Sequence, residues 1–293
     1  MQSYADFKGL NTLEGHCETI IPGVCFYRAS EGSGRVPLVY QSGIIFMGQG
    51  HKQIHLGEQN VRYGPGDYLV IGVPLPLECE AFAEDDKPIL GLSINVDSQL
   101  LHRLVSELSK DSLGNPHYSK HDPNLDLGLT SESMSSELTE AFDRLLNALL
   151  SDTDARILGP AIVEEIIYRI LTGPNGHVLF DLAKHDGHYA RIARVLNLMH
   201  REYAEPITVE SLAEKANMSL SGFHRAFRQV TTESPLQYLK KVRLTKAKEL
   251  IVAEGKRAND AALLVGYTSP SQFSREFKRH FNSTPKSLAK SEA

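Results

Sequence analysis

The stretch MSLSGFHRAFR (218–228) returns fifty residues later as TSPSQFSREFK (268–278), and this recurrence decides how the C-terminal third is read. Ser219 aligns with Ser269, Ser221 with Ser271, Phe223 with Phe273 and Arg225 with Arg275. Phe227 aligns with Phe277, Arg228 with Lys278 and Pro235 with Pro285, all without a gap. Two copies of one unit are therefore present, and a repeat constrains the fold more tightly than any local propensity.

Each copy has the pattern of two short helices. In the first, Thr208 is suited to cap a helix carrying Val209, Leu212, Ala213 and Ala216 at helical spacing. Asn217-Met218 interrupts it, and Ser219 caps a second helix predicted to run to about residue 230. Phe223 and Phe227 are four apart, so both lie on one face and point inward. The second copy runs from about 259 to 264, turns at Gly266-Tyr267-Thr268 and restarts at Ser269, with Pro270 at a first helical position that tolerates it. Two such pairs are predicted helix-turn-helix units. Once the phenylalanines face inward, Ser221, His224, Arg225 and Arg228 share the outer face of one helix. Ser271, Gln272, Arg275 and Lys278 share that of the other. Arg pairs with guanine, Gln with adenine and Ser with several bases in a major groove. Ser219 and Ser269, at helix N-termini, suit phosphate. The plainer alternative is two amphipathic helices whose polar faces meet water.

Between the copies, PLQYLKKVRLTKAKELIV (235–252) reads as one long basic helix. As a stiff spacer it would hold two reading helices about 34 Å apart, one duplex turn. Charge agrees with this division. The chain carries a net −5, yet residues 188–293 hold 18 Lys/Arg against 10 Asp/Glu, leaving the front half strongly acidic. Such asymmetry points to a nucleic-acid-binding end.

The segments MSLSGFHRAFR, PLQYLKKVRLTKAKELI and AALLVGYTSPSQFSREFKRHF together resemble the DNA-binding domain of AraC/XylS transcriptional regulators. The resemblance implies base contacts by Ser221, His224, Arg225, Ser271, Gln272 and Arg275. Leu220 occupies a position often polar in that family and is assigned none.

The front half alternates in short segments over residues 36–96, bounded by turn residues such as Gly64-Pro65-Gly66-Asp67. Six short antiparallel strands are expected, as in a small barrel or jelly roll. Helices are predicted at 99–108, 132–150 and 155–171, with a hinge at 185–189. PLVYQSGIIFMGQGHKQI (37–54), YGPGDYLVIGVPLPLECE (63–80) and LGLSINVD (90–97) resemble the cupin-type N-terminal domain of one AraC branch. The expected fold is thus α+β: a cupin-like β-barrel with flanking helices at 1–185, and an all-α DNA-binding domain with two helix-turn-helix units joined by a long helix at 186–293. The apolar helix at 155–171 serves either as a homodimer contact or as packing on the chain's own barrel.

Cupins include metalloenzymes, and His51 and His55, with Glu58 nearby, invite that comparison. The spacing is His-x-x-x-His rather than His-x-His, and residues 68–96 supply no further histidine. No metal, no cofactor and no catalytic residue are expected. In 77–82, Leu77, Cys79 and Ala81 share the inward face, so the thiol would line the interior. A buried cysteine commonly serves as a small hydrophobe, and the flanking Glu78 and Glu80 tend to raise a thiol pKa. Against that, VPLPLECE resembles the matching strand of aldehyde-responsive activators, which implies that Cys79 senses a reactive carbonyl or another electrophile. Cys17 and Cys25 lie outside the strand pattern and are weaker candidates.

Composition sets the outer bounds. The 293 residues are 41% hydrophobic and 23% charged, which excludes a wholly disordered or fibrous chain. Three cysteines make no disulfide framework, no apolar run approaches a membrane span, and residues 1–9 lack a signal-peptide pattern. The expectation is a cytoplasmic, non-enzymatic regulator, an activator by resemblance. Its partners would be double-stranded promoter DNA, RNA polymerase and a small-molecule effector, with no membrane partner. A cupin metalloenzyme with a DNA-binding tail, and a constitutive DNA-binding protein with a structural front domain, are the alternatives.

Overall fold

The computed structural model describes residues 1–56, 59–85, 87–110, 129–174, 176–183 and 187–291. Glu58 and the first residues of the expected hinge, where the 185/186 division was drawn, lie outside the described residues. The chain forms two compact units. One contains Met1–Arg35, Gln41–Val73 and Cys79–Gly187; the other contains Val36–Tyr40, Pro74–Glu78 and His188–Ala293.

After a short helix, α1 (Gln2–Lys8), the chain enters β1 (Gly15–Glu18), β2 (Val24–Ala29), β3 (Ser33–Tyr40), β4 (Gly43–Gln49) and β5 (His51–Leu56). β6 (Gln59–Tyr63), β7 (Asp67–Ile71), β8 (Leu75–Phe82) and β9 (Ile89–Ile94) follow, and β10 (Leu129–Ser133) comes after helix α2 (Ser98–Lys110). The six strands expected over 36–96 are β4–β9; β1, β2, β3 and β10 are additional, and the ten described strands do not close a barrel. They form a six-stranded antiparallel sheet in the order β1-β2-β9-β4-β7-β10 and a four-stranded sheet in the order β3-β8-β5-β6. Each sheet keeps two edge strands, whereas a barrel requires unbroken pairing around its circumference. The turn read at 64–67 is present. Gly64 N–H donates to the Asp67 carboxylate at 3.1 Å, and Gly66 takes φ 89°.

One face of the larger sheet is sealed by helices. Phe26, Leu92 and Phe46 stand in one register row and are at most 1% exposed. Tyr4 of α1 meets Phe26 edge-on at 5.3 Å, and Phe46 stacks on Phe142 of α3 (Ser136–Ala148) at 4.3 Å. α3 starts later than the helix read at 132–150. Residues 129–133 pair with β7 as a strand, and the Ser135 side chain caps the helix by accepting from Leu138 N–H. The stretch read as one helix at 155–171 is two, α4 (Asp152–Ile157) and α5 (Gly159–Leu171), followed by α6 (Gly176–Ala183). Val163, Ile166, Ile167 and Ile170 of α5 are all buried, and α5 packs on α3. These four side chains thus serve the chain's own core, while Ile157, Leu158 and Tyr168 of the same stretch are exposed.

The helical unit has α7 (His188–Arg201), α8 (Val209–Lys215), α9 (Leu220–Thr231), α10 (Pro235–Val252), α11 (Ala258–Leu264), α12 (Pro270–Phe281) and α13 (Pro285–Ser291). α8 and α11 end alike. Asn217 (φ 50°) and Gly266 (φ 85°) take the left-handed conformation. Met218 N–H reaches Ala213 O at 3.0 Å, and Tyr267 N–H reaches Ala262 O at 2.9 Å. This double closure satisfies the last helical carbonyls and turns the chain sharply into the next helix. Among the described residues, no helix is long and apolar enough to cross a membrane.

Candidate nucleic-acid interface

The two copies build matching cores. Phe223 and Phe227 are fully buried, with ring centroids 5.5 Å apart, and Phe227 meets Tyr238 of α10 edge-on at 5.5 Å. Phe273 and Phe277 repeat the arrangement at 5.4 Å, with Tyr267 and Phe281 beside them and Leu244, Ala247 and Ile251 of α10 completing the cluster. Burying such rings fixes which way each helix is turned, each full burial contributing about 1.5–3 kcal/mol.

The faces left outside are those the sequence singled out. Ser221, His224, Arg225 and Arg228 on α9 are exposed, as are Ser271, Gln272, Arg275 and Lys278 on α12. His224, Arg225 and Arg228 line an open cleft together with Gln229 and Ser234. The last two escaped the sequence reading because they lie outside the repeated positions, although Ser234 shows itself as a serine before Pro235. Gln272 also donates to Glu276 at 3.4 Å, so its amide is already oriented along α12.

Ser219 and Ser269 act as helix caps. Each side-chain oxygen accepts a backbone N–H at 3.2 Å, from Gly222 and Gln272 respectively. Capping fixes the N-terminal turn and leaves each hydroxyl hydrogen available to an acceptor such as phosphate. Leu220, next to the first cap, is 44% exposed.

The basic face of α10 is partly occupied. Lys240 pairs with Glu276 of α12 at 3.2 Å, and Lys241 bonds Glu233. Arg243 donates to the carbonyls of Tyr203 at 2.6 Å and Glu205 at 2.8 Å, tying the segment after α7 to α10. These three cations hold the helical unit together.

Along β8, Leu77, Cys79 and Ala81 are buried while Glu78 and Glu80 are half-buried, which is the alternation read from the sequence. Cys17, paired with Phe26 from β1, departs from its reading, and so does Cys25. The latter lies within the larger sheet opposite Ser93, on the face away from Phe26, and burial pushes its thiol and that of Cys17 up. His51 and His55 are committed elsewhere. His51 Nδ1 lies 2.7 Å from Glu84, and His55 Nδ1 lies 2.6 Å from Asn60. Among the described residues, no group of three or more His, Cys, Asp or Glu is placed to hold a metal.

Comparison with known proteins extends this picture. Residues 20–178 match the family described as "AraC-type transcriptional regulator N-terminus", and residues 212–291 match "Helix-turn-helix domain". The HTH-type transcriptional regulator AlkR of Acinetobacter baylyi is 37% identical over 98 residues, 33% of this chain and 32% of that protein. The HTH-type transcriptional activator RhaS of Citrobacter koseri is 32% identical over 99 residues, 34% of this chain and 36% of that protein. The chain therefore spans only about a third of the length of these two relatives. The uncharacterized HTH-type transcriptional regulator YdeC of Bacillus subtilis is 21% identical over 99% of both chains. In fold, the chain is similar to a point variant of apo ToxT of Vibrio cholerae, with a TM-score of 0.59 at 9% identity over 96% of this chain and 100% of the other. ToxT of the same species bound to an unsaturated fatty acid gives 0.55 at 9% identity over 90% and 94%. With its N-terminal match spanning more than half of its length and a helix-turn-helix domain following, this chain belongs to the AraC-type transcriptional regulators.

Proposed function

We propose that this protein regulates transcription by reading duplex promoter DNA with α9 and α12, under control of a small molecule taken up by its two-sheet unit. The observation that carries the reading is the equivalence of Arg225 and Arg275. Both are exposed, two residues after a buried phenylalanine and two before another, on helices of equal length capped by serine. Ser221, His224, Arg225 and Arg228 would face one major groove, and Ser271, Gln272, Arg275 and Lys278 the next. Ser219 and Ser269 would meet phosphate. α10 has 18 residues and so extends about 27 Å, commensurate with a spacing of about one duplex turn. A division near 185 into a sensing part and a reading part follows from this, as does a cytoplasmic site of action.

The finer reading is of an activator that engages RNA polymerase and responds to a reactive carbonyl, with Cys79 at the sensing site. Its support is the resemblance of residues 73–80 to aldehyde-responsive activators and the inward position of Cys79, which is 2% exposed. ToxT, a neighbour in fold alone, has been seen with an unsaturated fatty acid, so uptake of a small organic molecule by this architecture has a precedent. A ligand shifts DNA binding only if it favours one arrangement of the protein over another.

Selection of binding sites from random duplexes with the full chain tests the proposal. A bipartite motif with half-site centres about 10.5 base pairs apart is expected. Enrichment of no sequence would refute the reading of α9 and α12. An operator affinity that glyoxal leaves unchanged would refute the carbonyl effector.

A further inference from the structure

The face of the larger sheet that looks away from the helices is the more open one. Val24, Phe26, Ile44, Phe46 and Leu92, on the helix side, are sealed. On the other side Cys25, Tyr27, Ile45 and Ser93 are each half-buried, while Met47 and Gly91 are buried. Tyr27 stands across from Gly91, and Gly91 across from Met47. Because Gly91 has no side chain, a Cβ there would lie 3.7 Å from the Tyr27 ring and 3.3 Å from the Met47 sulfur. The absent side chain thus lets the Tyr27 ring and the Met47 sulfur close over Gly91. From the opposing sheet, Lys52 of β5 brings its Nζ to 3.7 Å from the Tyr27 ring centroid. Cys79 is on β8, which neighbours β5, and lies in electrostatic range of both Lys52 and Tyr27. His16, itself exposed, packs on the Tyr27 ring at 4.8 Å and forms the solvent side of the cluster. Lys52 is only 9% exposed and shares its strand face with Ile54 and Leu56.

We propose that Lys52, flanked by Tyr27 and Cys79, is a covalent binding site for a small aldehyde, which it takes as an imine. The proposal rests on the carbonyl-effector reading above and moves its chemistry from the thiol to the amine. The lone pair of Nζ adds to the carbonyl carbon, and a proton passes from nitrogen to oxygen, giving a carbinolamine. The hydroxyl then leaves as water while the second nitrogen proton is released, and the C=N bond forms. One water is produced, nothing is oxidised or reduced, and hydrolysis reverses the step, as a sensor requires. The site suits a neutral, largely apolar aldehyde, because the surrounding strand faces are apolar and the tyrosine ring can cover the bound group. Burial lowers the Lys52 amine to about 8. At pH 7.5 its neutral, nucleophilic fraction then exceeds that of an ordinary lysine on the order of a hundredfold.

The test is reductive trapping on the full chain. Equimolar propionaldehyde with cyanoborohydride at pH 7.5, followed by peptide mapping, should place the propyl group on Lys52 at least tenfold ahead of any other lysine. Lys52→Arg should lose this rapid labelling while retaining the slow labelling of exposed lysines. Label spread over exposed lysines without enrichment at Lys52 would overturn the proposal. So would an aldehyde adduct confined to Cys79 and formed without reductant. Operator affinity measured in parallel separates the two claims. Labelling of Lys52 with unchanged affinity would uphold the site and refute the signalling role. Changed affinity without labelling of Lys52 would do the reverse.

Discussion

Lys240 of the linker helix and Glu276 of the second reading helix form an ion pair at 3.2 Å, with neither side chain more than 25% exposed. Glu276 also accepts from the Tyr267 hydroxyl at 2.8 Å. Burial pushes the Glu276 carboxyl up, but the hydrogen bonds from Tyr267, Lys240 and Gln272 outweigh it and hold the group below its ordinary value. The pair thus orients the helix carrying Arg275.

Lys240→Ala is accordingly expected to lower the unfolding free energy by about 1 kcal/mol and to leave the salt dependence of DNA binding unchanged. Urea titration and a log-log salt series check both halves. Unchanged stability with a slope reduced by about one would mean that Lys240 contacts phosphate instead.

Gly266 should tolerate no side chain. Its φ is 85°, and a Cβ would fall 2.3 Å from the Ala204 carbonyl oxygen. Gly266→Ala is expected to cost more than about 2 kcal/mol, read as a lower thermal midpoint with weakened operator binding.

Thr232 ends α9 at φ 63°, where its second-copy counterpart is Asn282 at φ 53°. A β-branched residue is strained there, while asparagine adopts the conformation readily. Thr232→Asn should raise stability by roughly 0.5–1 kcal/mol, measured by chemical unfolding.

His200 Nε2 lies 2.7 Å from the Tyr238 hydroxyl, and burial, aided by the charge of Lys246, lowers its pKa to about 4. The unfolded chain takes up this proton near pH 6.5 and the folded one does not. Stability from this group is therefore complete above about 6.5 and is lost as pH falls from there towards 4. Between pH 7 and 5 the loss should be about 2 kcal/mol. His200→Gln should lose less than the wild type over the same interval; equal losses would contradict the assignment.

The helical unit was legible because a repeat declares itself in spacing. The residues predicted as one linker helix form α10 (Pro235–Val252), and the Phe pairs announced which faces turn outward. What the sequence hid was long-range. β1 and β2 are stabilised by pairing with one another and with β9, not by strong alternation of their own. Residues 129–133 carry polar groups that suit a helix start but become a strand through β7. The pairing of Lys240 with Glu276 joins positions 36 apart, which no local periodicity encodes. At the candidate effector site, Cys79 was legible from alternation. Lys52 was readable too, as a lysine on the apolar face shared by Ile54 and Leu56, but its meaning depends on Tyr27 in the opposing sheet.

The most direct test compares Arg225→Ala and Arg275→Ala on systematically mutated operators. Each is expected to cost about 1–3 kcal/mol and to relax preference in one half-site only, a different half-site for each variant. If both variants keep the wild-type affinity and base preferences, α9 and α12 do not read the DNA.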